Sequence, residues 1–254
     1  MPKLTADGTG IEVLAGVTAS AICALLAAAH PAYAKPDYSE TQTQTISDEY
    51  ADCVVKENTQ KAREFVGRNL PEDIVLRQFR ALNDGGCLIN AAGSWGGVTM
   101  RFPAPHFRFA MARALVRLDY STNPFQDFKT VPPFARDVFP PLDQEKLPKS
   151  KRRANEIRVK YASAHFASDM DRFGECVARA NPAAAQAFAS SKLNTPARGA
   201  AVAQIKPVLG GCLAEGTVKL NAFYLTGAVA VNYYRLAYQA SHISASAAQT
   251  GTKP

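Results

Sequence analysis

Apolar residues recur at helical spacing through most of the chain. Ile46, Tyr50, Cys53 and Val54 fall at i, i+4, i+7 and i+8, the stripe of an amphipathic helix. Ala62 and Phe65 continue the pattern after the polar break at Asn58-Thr59. Leu70-Pro71-Glu72-Asp73 is a helix-start signature ahead of Val75, Phe79 and Leu82, and Gly85-Gly86 is expected to stop that helix. Cys87–Ile89 and Val98–Phe102 read as two short strands of a hairpin, ended by Pro103 and Pro105. Phe107, Ala110, Met111, Ala114, Leu115 and Leu118 then form the clearest helical stripe of the sequence.

A second run of elements follows. Phe166, Met170, Phe173 and Val177 mark one helix, Ala185 and Phe188 the next, and Val202, Ile205 and Leu209 a third. Val218 and Leu220 stand where Met100 and Phe102 stood, and Leu225, Ala228, Val229, Asn232, Tyr233 and Leu236 line a last helix. Asn232 replaces Ala114 there, so a buried amide that needs a partner is expected.

The two runs share words as well as periods. Asp52-Cys53-Val54-Val55-Lys56 returns as Glu175-Cys176-Val177-Ala178-Arg179, Gly85-Gly86-Cys87-Leu88 as Gly210-Gly211-Cys212-Leu213, and Arg117-Leu118-Asp119-Tyr120 as Arg235-Leu236-Ala237-Tyr238. The expected fold is therefore mostly α with short β-hairpins, in two homologous disulfide-stapled modules that arose by internal duplication. The modules should pack about a pseudo-two-fold axis through the Phe107–Tyr120 and Leu225–Tyr238 helices. The parts are a leader (1–34), a flexible segment (35–45), module 1 (46–120), a proline-rich basic connector (121–152), module 2 (153–243) and a flexible tail (244–254). The first hairpin is longer than the second by a stretch holding Gly93-Ser94-Trp95-Gly96-Gly97, which makes Trp95 a candidate binding residue.

The leader sets the compartment. Val13–Ala29 is apolar and alanine-rich but short of the roughly 20 residues of a spanning helix. Ala32-Tyr33-Ala34 fits signal-peptidase cleavage before Lys35. Export to a periplasm or the exterior is expected, with no transmembrane span after cleavage. Of the five cysteines, Cys23 leaves with the leader. The remaining four allow three pairings, and a self-contained repeat selects Cys53–Cys87 and Cys176–Cys212. Each bridge would stabilise by about 4 kcal/mol through the unfolded state. No Cys-x2-Cys pair is present, so zinc spacing is missing and no metal or other cofactor is expected.

The net charge of +7 is unevenly spread. Lys149, Lys151, Arg152 and Arg153 lie in a basic run with Lys146, Arg158 and Lys160. In an exported protein the matching polyanions are lipid head groups and cell-wall polymers, not nucleic acid, and another envelope protein is a further possible partner. Ion pairs Asp52–Arg117 and Glu175–Arg235 would orient the last helix of each module on its first. No serine-elbow, zinc-protease or phosphate-loop motif occurs, and His106, His165 and His242 lack ligand spacing. A non-catalytic binding protein is the expected class. The alternatives are a structural envelope protein without a small ligand, and an enzyme assembled from separated residues such as His106, Asp119 and Arg108.

Overall fold

The computed structural model describes residues 39–69, 79–92, 105–125, 127–136, 139–192, 195–213 and 222–250. The secondary structure among them is helical, with eight α-helices and no strand. They are α1 (Glu40–Glu57), α2 (Thr59–Gly67), α3 (Gly85–Ala92), α4 (His106–Tyr120), α5 (Lys151–Ala180), α6 (Pro182–Ser190), α7 (Pro196–Cys212) and α8 (Ala222–Thr250), with a 3₁₀ turn at Arg80–Leu82.

Local chemistry explains the boundaries. Ser39 and Gln42 form a reciprocal capping box, so α1 starts within the stretch expected to be flexible. Asn58 ends α1, its N–H donating to the Val54 carbonyl, and α2 restarts at once. Asn181 separates α5 from α6 in the same way, its side chain accepting from the Ala184 N–H with Pro182 in the first turn. Thr195 and Pro196 open α7 by the same device.

The strand expected at Cys87–Ile89 is instead helix. The Asp84 carboxylate accepts from the Gly86 and Cys87 N–H groups, capping the start of α3, so Gly85-Gly86 opens a helix rather than closing one. Gly210-Gly211 stands at the other end of a helix, in the last turn of α7. Helix α8 runs to Thr250, through much of the expected tail. The leader, the helix start at Leu70–Asp73, the strands at Val98–Phe102 and Val218–Leu220, and Trp95 lie outside the described residues.

The long helices pack in the spatial order α1, α4, α8, α5. Helices α2 and α6 each touch both α4 and α8, while α3 lies on α1 and α7 lies on α5 and α6. The core is densest along the central pair, where Ala110–Val116 of α4 and Ala228–Ala237 of α8 are buried almost without a break. Glycine permits the tightest crossings. A Cβ at Gly174 would sit 2.2 Å from the Ala228 carbonyl oxygen, and one at Gly227 would sit 2.2 Å from the Phe109 ring. Two disulfides, Cys53–Cys87 and Cys176–Cys212, tie α1 to α3 and α5 to α7. Residues Tyr38–Pro254 make one compact unit.

The connector is a strap held to the helices. Phe128 and Val131 are buried, and the Phe125 N–H donates to the Tyr233 hydroxyl. The Phe128 and Tyr233 rings meet edge to face at 5.5 Å. No helix among the described residues is long and apolar enough to cross a membrane.

Candidate functional site

Charged side chains enter the interior at two places, one in each half. In the first, Arg117 on α4 donates to Asp52 on α1 from Nε (2.9 Å) and Nη2 (2.6 Å). Asp48, one turn earlier on α1, lies 3.8 Å from the same Nη2. Arg113 is entirely buried beside them. Its Nη1 is 2.9 Å from Asp48 Oδ1, an ion pair without hydrogen-bond alignment. Its Nη2 donates to the Ser191 carbonyl at 3.1 Å. Lys192 Nζ closes the group 3.4 Å from Asp52 Oδ2. Burial pushes the Asp48 carboxyl up despite the pull of Arg113 and Arg117. Nearby Arg198, donating to Phe188, Ser191 and Thr226, is pushed down to about 10, by burial first and by the Arg113 charge second.

In the second half, Glu175 and Arg235 occupy the counterpart positions, and the expected contact between them does not form. Arg136 of the strap, Arg179 one turn along α5 (2.8 Å) and the Phe134 N–H (3.2 Å) take both Glu175 oxygens. Arg179 also donates to the carbonyls of Phe128, Val131 and Pro132, each at 2.9 Å. Glu175 and Arg179 thus clamp the strap to α5. Arg235 is left with Asp171 at 3.6 Å, the Asn232 amide oxygen at 3.4 Å and the face of Phe134, 3.9 Å from the ring centroid. Burial lowers its pKa. Asn232 finds its second partner in the Ala228 carbonyl at 2.9 Å.

Beneath the strap lies a cavity of about 330 Å³. Arg235, Arg136 and Asn69 supply donors to its wall, Asp171 and Glu175 acceptors, and Phe134, Phe139, Ala164 and Ala167 apolar surface. Asn69 adopts φ 51°, a left-handed conformation that asparagine tolerates, and accepts from Arg108 at 2.6 Å.

The basic run lies just before and along the first half of α5. Lys149, Lys151, Arg152, Arg153, Arg158 and Lys160 are exposed, as are Ile157 and Val159. Arg153 and Lys160, seven positions apart, share a face. Glu156, paired with Arg152 at 3.0 Å, is the one acid between 149 and 168. The helix is steadied from beneath, where the Tyr161 hydroxyl donates to the Pro140 carbonyl (2.8 Å) and Arg158 to Gln144 (3.2 Å).

The remaining polar candidates are dispersed. His106 sits against the Phe223 and Tyr224 rings, and burial lowers its pKa. His165 lies between Phe139 and Tyr161, and His242 against Tyr238. Asp119 is held by Arg63 and the Tyr234 hydroxyl, and Arg108 lies over the Phe65 ring. No group of His, Cys, Asp and Glu among the described residues is arranged to hold a metal ion. Sequence reasoning missed Asp48 and Asp171, although each stands four positions before an acid that the sequence pointed to, Asp52 and Glu175. It also missed Arg113 and Arg136, for which no local signal exists. Comparisons with protein-family models, with curated proteins and with solved structures find no match to this chain.

Proposed function

We propose that this is an exported, non-catalytic interaction protein that docks on anionic lipid head groups through the basic start of α5. One observation carries the reading: between 149 and 168 six exposed cations stand against a single acid, which pairs with Arg152, and all but Lys149 lie on a helix steadied by the strap. Each cation near an anionic membrane surface is worth about 1 kcal/mol, so the four at 149–153 together correspond to a change of roughly three orders of magnitude in partition. The disulfides fit an oxidising compartment, in keeping with cleavage of the leader after Ala34.

The scaffold reads as an internal duplication, with α1–α4 answering to α5–α8. Both halves run long helix, short helix, Gly-Gly-Cys and long helix, and both bridges join the first helix to the Gly-Gly-Cys segment. Both place two acids four residues apart on the first helix near an arginine of the last: Asp48 and Asp52 for Arg117, Asp171 and Glu175 for Arg235.

The test is co-sedimentation of the mature protein with vesicles rich in phosphatidylglycerol, against neutral phosphatidylcholine vesicles. Binding at low salt that disappears near 1 M, where the screening length falls to about 3 Å, is expected. So is its loss when Lys149, Lys151, Arg152 and Arg153 are all replaced by alanine. Equal binding to neutral vesicles, or full binding by the four-alanine variant, refutes the docking mode.

A further inference from the structure

The cavity beneath the strap has a separate chemistry. A buried guanidinium normally makes charge-assisted hydrogen bonds of about 2.7–2.9 Å. Arg117 does so with Asp52, but Arg235, 8% exposed, reaches its only carboxylate at 3.6 Å. Glu175, the other acid of the wall, is satisfied by Arg136, Arg179 and a backbone N–H. Asp171 stands half in solvent, 43% exposed. The charges of the wall itself balance, two arginines against two acids, but Arg179 shares Glu175 from behind, so three arginines draw on two acids and Arg235 keeps most of its hydrogen-bonding capacity unspent. The Phe134 ring covers one face of the guanidinium, 3.9 Å from its centroid, and Arg235 lines the cavity, where its planar fork suits a planar acceptor.

We propose that this cavity binds a small carboxylate with an apolar body, the carboxylate on Arg235 and the body against Phe134, Phe139 and the alanines of α5. The volume of about 330 Å³ lies at the small end of ligand pockets, which run from about 300 to 1,000 Å³, and suits a single-ring or short branched acid. Phosphate would satisfy the charge but leave the aromatic wall unused. The site is distinct from the basic face of α5 and stands or falls independently of membrane docking.

The experiment is titration of the mature, oxidised protein with phenylacetate, followed by Tm and by protein NMR. Inorganic phosphate and benzylamine serve as the charge-only and wrong-charge probes. A Tm that rises with phenylacetate concentration, with neither control matching it, is expected. Arg235→Gln should abolish the response, and Arg235→Lys, which keeps charge but loses the planar fork, should weaken affinity about tenfold. Because Arg235 is buried, a second variant guards against loss of folding: Ala167 is exposed on α5, and Ala167→Phe should fill the cavity and block binding while leaving the free protein's Tm nearly unchanged. No response to phenylacetate overturns the proposal. So does an equal response to phosphate, or binding by Ala167→Phe at wild-type affinity.

Discussion

Replacing Asp48 by alanine should be among the most damaging single changes away from the disulfides. Asp48 is 4% exposed and Arg113 is wholly buried, and their closest atoms are 2.9 Å apart. Alanine leaves the Arg113 charge in the interior with one carbonyl, that of Ser191, as its hydrogen-bond acceptor. Removing one member of a buried pair costs about 3–5 kcal/mol, because the remaining charge stays desolvated. An exposed pair such as Arg152–Glu156 costs about 0.5 kcal/mol or less when broken. The contrast is measurable by urea unfolding of the oxidised protein followed by circular dichroism, with midpoint and slope compared. The double variant Asp48→Leu with Arg113→Met should recover most of the loss, since no charge then remains buried. A cost below about 1 kcal/mol for Asp48→Ala, or a double variant no better than the single, would refute the argument that uncompensated charge governs this site.

Gly174→Ala forces a methyl group against the Ala228 carbonyl oxygen and should lower stability by about 1–3 kcal/mol or more. Gly199→Ala, on α7 with open space around it, should be neutral or stabilising by up to about 1 kcal/mol; Tm values of opposite sign test the pair. Burial lowers the His106 pKa, so the unfolded state takes up its proton first on acidification. His106 should therefore withdraw stability as pH falls through the ordinary histidine value of about 6.5, a loss complete below its folded pKa and absent above pH 7. His106→Phe should flatten that part of the pH–Tm curve, and an unchanged slope would show that the stability loss comes from elsewhere.

Some of this molecule is written locally and some is not. The stripe Ala110, Met111, Ala114 and Leu115 is buried as its spacing requires, and the Ala62/Phe65 and Ala185/Phe188 pairs lie in the core. Leu118, on the same stripe, is 50% exposed, and Val202 is also exposed, because a period identifies a face but not how far along the helix its neighbour extends. Cys87-Leu88-Ile89 is too short for its period to separate strand from helix. Asp84, three residues earlier, decides it by capping. Arg113 escaped because hydrophobic periodicity counts it as polar, while its partner Asp48 lies on another helix far away in sequence. The partner of Glu175 was misassigned for the same reason: Arg136 arrives on a strap whose course no local pattern encodes.

The placement of α8 has a consequence for how the chain folds. It is the last helix in sequence among the described residues, yet it lies at the centre, against α4 on one side and α5 on the other, with α2 and α6 across it. Until α8 is available, α4 has no partner for its central face and α5 cannot complete its packing. Loops of more than a hundred residues must close for α8 to meet α4, and their entropy cost rises only slowly with length. The apolar contacts made on closure are extensive, so the burial that holds α4 and α5 in place depends on a helix far from α4 in sequence rather than on their immediate neighbours.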